Sequence, residues 1–547
     1  MIDASRHVGA RALAALLLCA ALAVLHTWPL ASAPGTLSRN DNKDTVLNTW
    51  ALAWVAHALV TAPSQVLSGN IFHPERNTVA FSDPVIVPGL LSVPVRALGA
   101  SPELTYNLSL LLGYLLSAWA MQWLAWRWTG HFGASLVAGS LFAFNAHSLV
   151  SMGHIQAIHA YGLPLLLVGL DGLCRPDARR LWHGLLVGVA TAILALTSGY
   201  LAIFGIVCGL IVVAVRWREL WQAPWRPLIA ASLAGALVMA LPVLPVLRAY
   251  REMQATHGFV RSLDLVAAMS ANGTAYLATP ARVHERWARG IYQTGEPKDS
   301  LFPGVVATLL ALAGLVLWHE HLRDGRVRIA LGLVVVGLVL SFGPATPVYT
   351  VFYAGVPFAS GVRAASRFGV LFLSGLAVLA AYGVAAVSRR WPRVATTASV
   401  VALVAVNAEA FRGPVPFVPA GTPSPIYTTL AGLPDGVVVE MPFWWRPIDI
   451  PRNANYMLAS TAHWKPLLNG YSGFTPASYR RRADILWYFP FRAASFDELD
   501  HAGVRYVVLH LVEYGSQRQE ALDLIEASGR WRIIERRGDI VLYARVR

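Results

Sequence analysis

Two aspartates, Asp41 and Asp44, stand three residues apart in Arg39-Asn40-Asp41-Asn42-Lys43-Asp44, just after the first long apolar run of a chain poor in carboxylates. Three residues apart, they share one face if the backbone there is helical. Two carboxylates held close bind a shared proton more tightly, which makes one of them a better base near neutral pH. That chemistry suits removal of the proton from an acceptor hydroxyl. Asp44 also has a structural alternative, capping the stretch 45–60, whose Trp50 and Trp54 suit a helix lying against the membrane surface.

Other polar groups are spread along the chain. Asn70-Ile71-Phe72-His73-Pro74, followed by Glu75, Ser82 and Asp83, makes a shaped loop, and by residue type alone His73 is first a structural hydrogen-bonder. His147, Ser148, Ser151, His154, Gln156 and His159 form a second concentration. Three histidines without a carboxylate or thiolate point only weakly to a metal, so no metal site is expected, and His154 and Gln156 read as hydrogen-bonding groups for a substrate. Arg363 and Arg367, four apart, suggest one face at a helix N-terminus. Guanidinium groups there suit a phosphate at the lipid headgroup level, with snorkelling to ordinary phospholipid as the alternative.

The elements that must position these groups are membrane helices. The 547 residues are 56% hydrophobic and 14% charged, with mean hydropathy +0.50, too apolar for a soluble chain of several domains. A net charge of +14 raises the question of nucleic acid. The basic residues instead fall in short clusters between apolar runs, with no basic face interleaved with aromatics, so nucleic acid is not an expected partner. Cys19, Cys174 and Cys208 lie in or at the ends of apolar runs with no C-x-x-C spacing, which argues against a disulfide framework or thiolate metal site.

About eleven runs are long enough to span a bilayer with some tilt: 8–30, 104–128, 132–150, 155–173, 181–199, 200–216, 227–247, 302–318, 327–342, 367–388 and 394–410. The first reads as an uncleaved span. Alternating the connections puts Arg6, Arg11, Arg127, Arg175, Arg179, Arg180, Arg216, Arg218, Arg226, Arg323, Arg326, Arg328, Arg389, Arg390 and Arg393 on one side, the cytoplasmic one. Pro84 to Ala100, broken by three prolines, then reads as an interfacial or re-entrant piece of an outer loop. The expected division is a transmembrane domain, 1–410, with outer loops 31–103 and 248–301, followed by a soluble extracytoplasmic α/β domain, 411–547. In that tail 437–441 and 505–510 read as strands, 517–528 as a helix and 531–545 as a hairpin turning at Arg537-Gly538-Asp539. The fold class is therefore mostly α: a polytopic helical membrane protein with a small C-terminal α/β domain.

Taken in order, several short motifs resemble the GT-C superfamily of polytopic glycosyltransferases, of the bacterial polyprenyl-phosphate-sugar-dependent type with the architecture of protein O-mannosyltransferases and aminoarabinose transferases. They are Asp41-x-x-Asp44-x-x-Leu47-Asn48-x-Trp50, Asn70-Ile71-Phe72-His73-Pro74, Gly153-His154-Ile155-Gln156, Thr197-Ser198-Gly199-Tyr200, Leu301-Phe302-Pro303-Gly304, Ser341-Phe342-Gly343-Pro344, and Arg363 with Arg367-Phe368. The resemblance covers nearly the whole chain. It implies transfer of a sugar from a polyprenyl-phosphate carrier to a hydroxyl on a glycan, lipid or protein at the outer face of the cytoplasmic membrane. Asp41 or Asp44 would be the base, and Asn70, His73, His154, Gln156, Tyr200, Arg363 and Arg367 would bind substrate. Asn40 precedes Asp41 where the related group is expected to have glycine.

One carboxylate suffices for that chemistry, because a phosphate leaves without being protonated and only the incoming hydroxyl needs a base. No cofactor follows from the sequence; a divalent cation near Asp41 and Asp44 is compatible with it. Two alternatives stay open: a multi-span lipid or polysaccharide transporter or flippase, and a non-catalytic scaffold of the same architecture. A transporter carries ionisable groups at the bilayer midplane, whereas acidic residues here, such as Asp171 and Glu409, sit in loops and at span ends.

Overall fold

A computed structural model describes residues 2–39, 43–175, 179–258, 260–318, 323–356, 358–421 and 423–546, with the side chains of residues 2–8 outside that description. Each of the eleven apolar runs contains a helix: Ile2–His26, Pro102–Thr129, Phe132–Ala143, Gly162–Leu173, Arg180–Thr197, Gly199–Gln222, Trp225–His257, Val305–Leu317, Gly325–Ser341, Gly369–Arg390 and Ala395–Ala410. Among the described residues, seven helices are long and apolar enough to cross a membrane by length and composition. The four shorter ones are Phe132–Ala143, Gly162–Leu173, Val305–Leu317 and Gly325–Ser341.

Two of these are short because polar residues break the run. In the stretch 132–150 the helix stops at Phe144, and the Asn145 side chain accepts from the Ser148 N–H at 2.9 Å, capping a new helix, Ala146–Val150. In the stretch 155–173 a single turn, Ile155–Ile158, ends at His159, whose buried ring bonds the Ser109 carbonyl at 2.9 Å before Gly162–Leu173 begins.

The chain divides into two compact units, and the division does not follow the expected boundary at residue 410. The first unit is 1–33, 107–245 and 259–416; the second is 34–106, 246–258 and 417–547. The first outer loop therefore folds with the C-terminal segment.

Among the seven long apolar helices described, Gly369–Arg390 is the most enclosed, packed by Phe132–Ala143, Val305–Leu317 and Gly325–Ser341. Close approach needs glycine at Gly314, where a Cβ would lie 2.7 Å from the Leu379 carbonyl oxygen. Small residues at such crossings let two backbones gain dispersion contact in a setting where apolar burial alone gives no preference for a partner helix.

In the second unit the Lys43–Thr61 helix corrects one expectation. It does not present an apolar face to a membrane surface: Trp50, Leu52, Ala53, Val55 and Ala56 are all buried. It packs between the Ile86–Ala97 and Asn453–Ser460 helices, so its apolar residues on all sides are those of a core helix. Ile86–Ala97, in the proline-broken stretch, is short and packs on that helix.

The C-terminal elements match their sequence signals. Strands Val437–Met441, Val504–His510, Ile540–Arg545 and Trp531–Arg537 lie in that spatial order, the first pair parallel and the others antiparallel. Arg518–Ala527 is helical. The hairpin turns at Gly538, whose φ of 57° is left-handed and suits glycine. A short strand, Val418–Pro419, pairs with Leu37–Ser38.

Candidate active-site elements in the two units

Asp41 lies outside the described residues. Asp44 lies within the Lys43–Thr61 helix, in its first turn, so it does not take the alternative role of a cap ahead of that helix. A carboxylate there still meets the favourable end of the helix dipole. Its Oδ1 accepts the Tyr471 hydroxyl at 2.8 Å, and its backbone carbonyl accepts the Asn48 amide at 2.8 Å. Lys43 beside it donates to Asn455 Oδ1 at 3.2 Å. Burial, and then the charge of Arg452, lower the Lys43 pKa from its ordinary value. Nothing in the loop's sequence pointed to Tyr471, which is 427 residues away.

Asn70, a substrate-binding candidate, is held as a brace. It is buried; its Oδ1 accepts from Trp50 Nε1, and its Nδ2 donates to Ser460 Oγ and the Lys465 carbonyl, each at 3.1 Å. Little bonding capacity is left for a ligand. His73 is half-buried, with Arg482 Nη1 donating to its carbonyl at 2.7 Å. Burial, then the Arg482 charge, lower its pKa, so the imidazole is neutral at pH 7.

In the helical unit three of the predicted residues come together. Tyr200 opens the Gly199–Gln222 helix, where Ser198 caps the backbone through the Tyr200 N–H at 3.1 Å. The Tyr200 hydroxyl oxygen accepts from the backbone N–H groups of Arg363 at 3.1 Å and Ala364 at 2.9 Å. The Arg367 guanidinium lies 4.6 Å from the centre of the Tyr200 ring, a cation–π contact. The two arginines do not share a helical face: Arg363 precedes the short turn Ala365–Phe368 that holds Arg367, and the long helix starts only at Gly369. The tyrosine, not helical periodicity, gathers them.

Two residues join this neighbourhood without a signal in the motifs. Arg261, in the loop 248–301, is pinned by its N–H to the Ser360 carbonyl at 3.1 Å and by its carbonyl to the Tyr353 hydroxyl at 2.7 Å. Its pKa is lowered by burial first and the Arg363 charge second, so these two guanidinium groups repel. Asp299 pairs with His147 Nδ1 at 2.7 Å. Burial would raise its pKa, but His147, the Ser300 N–H and the charge of Arg367 outweigh that and hold it below the usual range. His154 precedes the single turn Ile155–Ile158 and is half-buried, while Gln156 within the turn is buried.

Among the described residues no group of three His, Cys, Asp or Glu side chains is placed to hold a metal ion.

Helices long and apolar enough to span a bilayer, with a small α/β unit that incorporates the first loop, define a class of multi-pass membrane proteins. The chain's fold has a counterpart among solved structures. It superposes on arabinofuranosyltransferase AftD from Mycobacteria with a TM-score of 0.56 at 15% identity, covering 98% of this chain and 41% of that one. The chain thus spans well under half of AftD. The Archaeoglobus fulgidus oligosaccharyltransferase gives 0.49 at 12% identity, covering 95% and 73% of the two chains. ArnT from Cupriavidus metallidurans gives 0.42 at 14%, covering 99% and 98%. No family model and no curated protein matches the sequence.

Proposed function

We propose that the chain is a membrane glycosyltransferase that moves a sugar from a polyprenyl-phosphate carrier to a hydroxyl on a glycan, lipid or protein, with inversion at the anomeric carbon. The observation that carries this reading is the cationic cluster of Arg261, Arg363 and Arg367 around Tyr200. Guanidinium groups that repel one another gain most from a shared anion, and a phosphate accepts their planar donors well. The likeness to AftD makes an arabinofuranosyl group the first donor sugar to try.

In this mechanism an aspartate takes the acceptor proton, the acceptor oxygen bonds to the anomeric carbon, and the carbon–oxygen bond to phosphate breaks. The electron pair stays on the phosphate. Asp41 is the base and Asp44 the positioning group, because one Asp44 oxygen is already committed to Tyr471. The chain would lie in the cytoplasmic membrane with its N-terminus inside and residues after Phe411 outside, as the arginine clusters indicate.

The test is purified protein in liposomes with a synthetic polyprenyl-phosphate sugar and a panel of hydroxyl acceptors. Inverted product supports the reading. Carrier-linked sugar that crosses the bilayer with no glycoside formed would replace it with a transporter.

A further inference from the structure

A pocket of about 360 Å³ lies wholly within the second unit, at the far half of the Lys43–Thr61 helix from Asp44. His57 is thirteen positions beyond Asp44, which at a rise of about 1.5 Å per residue places it about 20 Å away along the axis. The volume falls at the lower end of the roughly 300–1,000 Å³ usual for small-ligand sites.

Its wall is aromatic on one side. Trp54 and His57 are one turn apart on the helix, and Trp464 meets both: its ring lies parallel to His57 at 4.4 Å and edge-on to Trp54 at 5.7 Å. Trp464 holds a left-handed backbone, φ 54°. For a bulky aromatic residue that is a strained conformation, and such strain persists only where the surroundings impose it, often at ligand clamps.

The remainder mixes small apolar residues, among them Ala58, Ala62 and Pro466, with polar ones, and is nearly uncharged. Gln65, Ser68, His73 and Glu75 contribute to the lining, and no lysine or arginine does among the described residues. Burial first, then Arg96 for His57 and Arg482 for His73, lower both imidazole pKa values. A neutral imidazole offers one donor and one acceptor. The single carboxylate, Glu75, accepts the Ser478 hydroxyl. A wall without cations disfavours phosphate. Flat rings beside paired donors and acceptors suit a ligand with an apolar face and many hydroxyls.

We infer that this pocket binds a neutral saccharide, as a site separate from the one where transfer is proposed. It goes beyond the transferase reading, since saccharide binding here requires neither donor nor turnover.

The experiment is titration of the full-length detergent-solubilised protein, with no donor present, by neutral arabinose, mannose, galactose and glucose oligosaccharides, followed by tryptophan emission and calorimetry. At least one should bind saturably at or below about 1 mM, with Trp464→Ala weakening binding about tenfold and Gln65→Ala, at the exposed rim, weakening it about threefold. His73→Gln keeps much of the side-chain volume and should weaken binding as well, which covers the case of Trp464→Ala failing to fold. Absence of saturable binding by every oligosaccharide overturns the inference. So does unchanged affinity in both Gln65→Ala and His73→Gln, or displacement of bound saccharide by polyprenyl phosphate.

Discussion

The Arg367 guanidinium sits 4.6 Å over the Tyr200 ring while the hydroxyl of that tyrosine holds the Arg363 backbone at 3.1 Å. One aromatic side chain therefore positions two cations that no shared helix could align. Tyr200→Phe keeps the ring under Arg367 but removes the acceptor for two N–H groups, at a cost of about 1–3 kcal/mol if they stay unsatisfied. Donor KM should rise about tenfold, with a smaller change in kcat. Arg367→Ala should weaken donor binding further, and Arg367→Lys should rescue poorly because a point charge lacks the planar donor set. Donor titrations that superpose on those of the unaltered protein would remove the cluster from phosphate binding.

Replacement by asparagine separates basicity from shape in the aspartate pair. Asp41→Asn is expected to lower turnover by roughly 10²–10⁴ with donor affinity kept. Asp44→Asn and Tyr471→Phe should each give a milder loss, because they disturb placement. Initial rates with a synthetic donor measure this. Normal transfer by both aspartate variants would move attention to the Asp299–His147 pair.

Asn70 links the Lys43–Thr61 helix to the 460–465 segment through three hydrogen bonds. Asn70→Ala leaves buried Trp50 and Ser460 groups short of a partner and should destabilise the second unit by about 2–4 kcal/mol. Thermal unfolding followed by tryptophan emission reads the loss. A changed substrate KM at unaltered unfolding temperature would return Asn70 to the binding residues.

His463 supplies a pH dependence. Burial first, and the Lys465 charge second, push its pKa from 6.5 down to about 4, so folding favours the neutral ring. Its contribution is then complete above pH 6.5 and is lost as the pH falls from 6.5 toward 4, by at most about 3 kcal/mol. Denaturant unfolding across that window should show a steeper loss in the unaltered protein than in His463→Gln. Equal slopes would mean that the ring protonates freely in the folded state.

Orientation is checked by a cysteine introduced at Gly515. Impermeant maleimide on intact cells should label it. Labelling only after lysis would reverse the orientation.

Composition and apolar run length were enough to read a many-helix membrane chain, because long apolar helices satisfy their own backbone in lipid and need no partner to be recognised. The α/β tail was legible for a similar local reason: strand alternation and a glycine turn at Gly538 are short-range signals. Interruptions at Asn145 and His159 were not, since each depends on a bond that ends a helix inside an apolar run. Residue types alone nominated Tyr200, Arg363 and Arg367. Only the tertiary structure decided that a tyrosine gathers them, that Arg261 joins, that Asn70 is a brace, and that Tyr471 holds Asp44. Those relations join residues from about twenty to more than four hundred positions apart, and hydrogen-bond partners at such separations are set by packing, which no local periodicity encodes.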